Sequence, residues 1–333
     1  MSGRSAEYTF YTAQRPTASA ISTLKSMHSQ TALSRFASGA HPHSMPELPA
    51  PRAGRLKDKL KTLLGRLVFP RQSRRWAGAI ASDPLLAALA YRNAPAINRV
   101  YRPYLSNHLS CAERIDVICS HYHCVQKMRI EPLVVTSLAI PVSVARFIGK
   151  EGARMELLLA GVSINPREGE LAFQLTLDGV GVFSVSFSFI EEQNERHVVV
   201  GAIQGVSAEN GSDIMRRASR ELYGTRPKNF LINVLRDLGA ALGCAHMILV
   251  SNLNRVVVNP RRRARITLDY DTTWREQQAH LRADGNFMLA CRAAADIDLN
   301  LVPSKKRGEA RRRQDLLLAI RRQFMARAGL AVA

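Results

Sequence analysis

The spacing of apolar positions divides the chain into a helical front, a strand-rich middle and a helical end. Leu56, Leu60, Leu63 and Leu64 share one helical face, with lysines on the other. Pro84 opens a second helix carrying Leu85, Leu86 and Leu89. A third, over about 110–126, carries Ile115, Ile118 and Val125. Beyond Gly152 the period drops to two. The runs 155–159, 170–177, 182–189 and 198–204 are separated by turn residues at 165–169, Asp178-Gly179 and Gln193-Asn194. They predict a four-stranded antiparallel meander over 154–204. Its last strand has no polar alternation, the mark of a strand covered on both faces.

The 3.6-residue period returns at 212–223, stopped by Gly224. It continues after Arg226-Pro227-Lys228 through Phe230, Leu231, Val234, Leu235, Leu238 and Leu242. A buried strand is predicted at 246–250, another at 265–270 leading into a helix capped by Asp271, and a basic helix at 305–327. In that last helix Leu316, Leu317, Ile320 and Phe324 would face the body. The fold class is therefore α+β: an antiparallel meander, then a helix-crossover-strand unit. Three regions are expected: a basic, disordered 1–54, a helical 55–130 and an α+β domain over 131–328.

Charge changes this picture at the edges. The chain has 333 residues and a net charge of +20. Residues 1–75 hold 13 Lys/Arg against 3 Asp/Glu, which is +10, and 305–327 hold nine against two, which is +7. Such a field attracts RNA or anionic lipid without selecting between them. Aromatic residues are only 6% and sit at core positions, so sequence-specific nucleic-acid recognition is not expected, while peripheral contact with an anionic membrane surface is. Five scattered cysteines and no secretory pattern suit a reducing cytoplasm.

In Cys119-Ser120-His121-Tyr122-His123-Cys124, Cys119 and His123 fall on one helical face and His121 and Cys124 on another. Four ligands cannot converge there, and no metal is assigned. The better candidate is an anion or cofactor site where strands meet helices. Strand 198–204 ends in Gln204-Gly205 and strand 246–250 ends at Ser251-Asn252. Arg226 and Lys228 flank the start of the strongest helix. If the two strands are parallel, their C-terminal ends form one crevice. If they are antiparallel, there is no shared site. The arrangement is similar to acyl-CoA-dependent N-acyltransferases, which hold the coenzyme A pyrophosphate at a loop and helix N-terminus. On that reading Gln204, Gly205, Arg226, Lys228, Ser251 and Asn252 bind acyl-CoA, Tyr270 is the general acid, and Asp271 is a base or orienting group.

Residues 84–325 resemble the VirK/YbjX family of bacterial proteins. The resemblance lies in His121-Tyr122, Glu168-Gly169-Glu170-Leu171, Val200-Gly201-Ala202-Ile203-Gln204-Gly205, Arg226-Pro227-Lys228, Val250-Ser251-Asn252, Tyr270-Asp271 with Trp274, and Ser304-Lys305-Lys306-Arg307 with Arg311-Arg312-Arg313. It implies an accessory role in virulence, envelope integrity and survival of cationic antimicrobial peptides. It supplies no catalytic residues.

Overall fold

The computed structural model describes residues 62–162, 166–205, 211–256 and 269–331. The segment expected to be disordered (1–54) and most of the predicted helix at 56–64 lie outside the described residues. The described chain opens with helix α1 (62–68), in which Gly65 sits so tightly on Tyr101 that any side chain there would collide with the ring. Helices α2 (Pro70–Ser82) and α3 (Pro84–Arg92) follow, α3 capped by Asp83, whose carboxylate accepts from the Leu85 and Leu86 amides. After a 3-10 segment (Ala94–Tyr101) comes α4 (Cys111–Lys127). Ser110 and Glu113 start it as a reciprocal capping box, satisfying two otherwise orphaned amides. A short helix, α5 (Glu131–Ser137), leads into the sheet.

The sheet contains β1 (Val142–Ile148), β2 (Arg154–Gly161), β3 (Leu171–Leu177), β4 (Val180–Glu192) and β5 (Glu195–Gly205), each antiparallel to the one before it. Asp178 and Gly179, both with positive φ, make the two-residue turn between β3 and β4. Gln193 and Asn194 do the same between β4 and β5. Two helices, α6 (Gly211–Glu221) and α7 (Pro227–Ala241), then cross over to β6 (Cys244–Leu249), which pairs with β5 in parallel. Helix α8 (Tyr270–Glu276) and the antiparallel pair β7 (His280–Leu281) and β8 (Phe287–Ala290) complete the sheet, in the order β1-β2-β3-β4-β5-β6-β8-β7. The basic helix α9 (Ser304–Arg327) closes the chain. It buries Leu317, Ile320, Phe324 and Met325, with Leu316 partly covered.

The predicted α+β class is present. The meander has one strand more than its periodicity showed, because β1 has no clean alternation. Of the strand predicted at 265–270, residues 265–268 lie outside the described residues. Asp269 and Tyr270 are not strand: Asp269 is the N-cap of α8 and Tyr270 its first residue. Asp271, expected to be the cap, sits one position inside the helix.

The helical front and the sheet share one hydrophobic core, running from Trp76 and Leu89 through Phe173 and Phe187 to Leu235 and Phe324. Strand β4 outlasts β3, whose pairing stops at Leu171↔Phe187. The exposed edge is covered by α4. The Phe189 amide donates to His121 Nδ1 at 3.0 Å and the Glu191 amide donates to Ser120 Oγ at 2.9 Å. These residues therefore complete a sheet edge. Burial, aided by the Arg99 charge, lowers the His121 pKa to about 3. Its ring stays neutral and able to accept.

Candidate functional site

The β5–β6 ladder runs from Arg196↔Cys244 to Val200↔Leu249, with one last bond from the Val250 amide to the Val200 carbonyl at 3.0 Å. There β6 ends and β5 continues to Gly205. At this point β5 carries a bulge: Phe187 pairs with Val200 and Ser186 with Ala202, so Gly201 is an extra residue. A bulge flips the alternation beyond it. The Ile203 N–H and C=O therefore point toward the side β6 has vacated, where the Tyr270 hydroxyl meets both. It accepts from the Ile203 amide at 2.9 Å and donates to the Ile203 carbonyl at 3.1 Å.

Glycine is needed at the bulge for a steric reason. A Cβ on Gly201 would collide with the carbonyl oxygen of Glu168, because the segment before β3 crosses the strand there. The crossing brings the Glu168 side chain into the electrostatic neighbourhood of Tyr270 and Arg255. The Arg255 guanidinium lies 3.7 Å from the centroid of the Tyr270 ring. Burial raises the Glu168 carboxyl, with Arg255 and Arg167 opposing the shift. Burial also lifts the Tyr270 hydroxyl to about 12, with Arg255 opposing and Glu168 reinforcing.

The predicted residues converge unevenly on this sector. Asn252, Tyr270 and Asp271 are joined directly. The Asn252 amide donates to Asp271 Oδ1 at 2.8 Å, the Tyr270 amide donates to Asn252 Oδ1 at 3.1 Å, and Asn252 Nδ2 donates to Asp269 Oδ1 at 2.6 Å. Asp271 is thus an anchor that holds the loop after β6 against α8. Ser251 is buried, and its Oγ accepts from the Asn254 amide within the same turn. Gln204 is exposed at the end of β5, and a Cβ on Gly205 would come only within ordinary contact distance, 3.4 Å, of the Phe183 ring, so no crowding requires glycine there. Arg226 is exposed at the N-cap of α7. Lys228 is a tether more than a rim cation: its side chain is 13% exposed, and Nζ donates to Glu276 at 2.8 Å and Thr273 at 3.3 Å. It binds the start of α7 to α8. Neither Glu168, quoted above only for the resemblance, nor Arg255 stands out from the sequence as a site residue. Glu168 sits in a turn, and Arg255 belongs to a basic cluster indistinguishable from a solvated one.

Glu168's neighbour in sequence serves a second buried cluster. Glu170, wholly buried, forms an ion pair with Arg99 and accepts from the Tyr104 hydroxyl and, at 2.9 Å, from Tyr122. Its amide donates to Ser188 Oγ at 3.1 Å. Burial, reinforced by the Glu170 charge, raises both tyrosines well above their ordinary value. The cluster ties the 3-10 segment, α4, β3 and β4 together.

These features define an α+β protein with a parallel strand pair that opens at its C-terminal end beside two helices. The chain belongs to the family described as a protein of unknown function, DUF535, whose model matches residues 52–326. Curated relatives include the uncharacterized protein YbjX of Escherichia coli K12, 26% identical over 269 residues, 79% of this chain and 81% of that one. A Haemophilus influenzae protein is 20% identical over 273 residues, 79% of this chain and 87% of its own. Among solved structures, the cAMP-binding acyltransferase from Mycobacterium smegmatis is similar at 10% identity with a TM-score of 0.28. That match covers 66% of this chain and 62% of the other, just under two thirds of its length. No helix among the described residues is long and apolar enough to cross a membrane.

Proposed function

We propose that this chain binds an acyl-coenzyme A in the crevice beyond Val200 and Val250 and transfers the acyl group to an amine. In the cell this activity would serve the envelope-supporting role that the VirK/YbjX resemblance implies. One observation carries the reading. After the Gly201 bulge, β5 presents the backbone pair of Ile203 to a side that no strand among the described residues occupies. Parallel strands bind ligands beyond their C-terminal ends, and a strand edge held only by one side-chain hydroxyl can pair with the amides of an extended ligand once that hydroxyl is displaced. Arg226 and Arg255 supply positive charge for a phosphate-bearing ligand.

In the proposed complex the ligand takes over the Ile203 pair from the Tyr270 hydroxyl. The raised Glu168 carboxyl, brought nearer to neutral pH, accepts the proton of the attacking amine. The C–N bond forms, the C–S bond breaks, and the departing thiolate takes a proton from Tyr270. Exchange with water resets both groups. Asp271 positions the loop through Asn252 and takes no proton.

Isothermal titration of the full chain with coenzyme A and a series of acyl-CoAs tests this. Binding that requires the acyl thioester and weakens at least ~10-fold in Gln204→Ala is expected, with Glu168→Gln binding as wild type but losing acyl transfer. Ligand at 100 times its Kd would add about 2.7 kcal/mol of stability. Absence of binding by every acyl-CoA at millimolar concentration would refute the proposal.

A further inference from the structure

At the other end of the parallel pair, β5 and β6 each bring a histidine to one place. His197 on β5 is the direct partner of His246 on β6, their ring centroids 5.8 Å apart and inclined at 36°. Glu195, two residues before His197 and so on the same face of the strand, reaches toward them. Its Oε2 lies 3.9 Å from His246 Nδ1. One ligand atom from each of the three side chains falls within 4.8 Å of the other two.

The local backbone favours this meeting. Arg196 pairs with Cys244 but His197 pairs with His246, so Ala245 is a bulged residue on β6. Cys244 packs with Val198 beside Gly239, on the α7 side of the sheet. His197, adjacent to Val198, faces the other way, and the bulge turns His246 to match it. The converging donor set is two nitrogens and one oxygen.

A second observation points to a ligand. His197 is 5% exposed, and its Nδ1 has no hydrogen-bond partner. His246 Nδ1 is likewise buried and without one. Buried ring nitrogens left without partners carry a desolvation cost that a metal bond would remove.

We propose that Glu195, His197 and His246 bind a single divalent transition-metal ion, zinc by the chemistry of the donors. Two imidazoles and one carboxylate are a recognised zinc set that leaves a fourth tetrahedral position open. Bonds of about 2.0–2.2 Å place donors about 3.4 Å apart, so the cluster must contract by about 1 Å. Glu195, with its side chain 58% exposed, is free to move. The histidines, fixed on adjacent strands, supply the preorganised part. The neighbouring cation Arg282 is matched by Glu192 at 3.3 Å and Asp284 at 3.2 Å, which limits its repulsion of an ion. The site is independent of the crevice proposed for acyl transfer, which lies at the opposite ends of the same strands.

The test uses the full chain, stripped by a chelator and titrated with Zn²⁺ alone in competition with a chromophoric zinc indicator. Melting is followed in parallel. The wild type is expected to take up one tightly bound equivalent and to melt higher when loaded. His246→Ala should weaken binding at least ~100-fold, more than the 10- to 100-fold typical of removing a residue that merely supports a ligand. Its unloaded melting temperature should be unchanged. Should His246→Ala fail to fold, Glu195→Ala at the exposed start of β5 decides, with a loss of at least ~10-fold expected. Wild type that binds no zinc would overturn the proposal. So would folded variants binding as tightly as wild type, which would place the ion elsewhere.

Discussion

Replacing Tyr270 by phenylalanine removes one oxygen from the centre of the candidate site. The ring keeps its T-shaped contact with Trp274, at 5.6 Å between centroids, and its place beneath Arg255. What disappears is the hydroxyl that satisfies both the N–H and the C=O of Ile203, a residue only 3% exposed. Each buried backbone group left without a partner costs about 1–3 kcal/mol, partly offset because the hydroxyl no longer has to be buried. The expected loss is about 2–4 kcal/mol. For a domain of this size that corresponds to a fall in Tm of about 5–10 °C. Urea unfolding followed by circular dichroism, with both proteins fitted to a common m-value, measures it. A loss below about 0.5 kcal/mol would refute the reasoning, because it would mean that β5 beyond Gly201 finds its partners elsewhere.

Three further outcomes are expected. Glu170→Gln leaves Arg99 buried without a counter-charge and should cost about 3–5 kcal/mol in the same unfolding assay. His121, with its pKa lowered to about 3 from an ordinary 6.5, binds a proton more readily in the unfolded chain. Its contribution is complete above pH ~6.5 and is lost as pH falls toward 3, with a slope approaching ~1.4 kcal/mol per pH unit. Unfolding free energies across that window should show this slope in wild type and lack it in His121→Asn. Helix α9 turns Lys305, Lys306, Arg307, Arg311, Arg312 and Arg322 to solvent. The protein should therefore cosediment with anionic liposomes at low salt and be released at about 1 M salt, where the screening length is about 3 Å. Retention at high salt would point to apolar insertion instead.

The elements that could be read from sequence were those whose pattern is imposed by one neighbour. The helix over about 110–126, the turns at Asp178-Gly179 and Gln193-Asn194, and the apolar stripe of α9 all depend on local geometry. β1 was not legible, because it ends with Phe147 half-buried and Ile148 63% exposed at the sheet edge. The direction of β6 relative to β5 was not legible either. It depends on how α6 and α7 fill the crossover, which periodicity does not encode. Within the site, Gln204, Asn252 and Tyr270 stand out because each ends or begins an element. Glu168 does not, because its position is set by Gly201, thirty-three residues later in the chain. Its value becomes visible only when a side chain at Gly201 is seen to collide with the Glu168 backbone. The tethering of Lys228 to α8 was not legible for the complementary reason: its partners Thr273 and Glu276 lie on a helix distant in sequence.

Amide hydrogen exchange, measured on the full chain with and without a saturating acyl-CoA, tests the claim about the crevice most directly. Exchange reports the opening of each backbone group separately. Added ligand is expected to slow exchange at residues 202–205 and in the turn over 251–254, and to leave residues 195–198 unchanged. Unaltered exchange at Ile203 and Gln204, or protection confined to another part of the molecule, would contradict it.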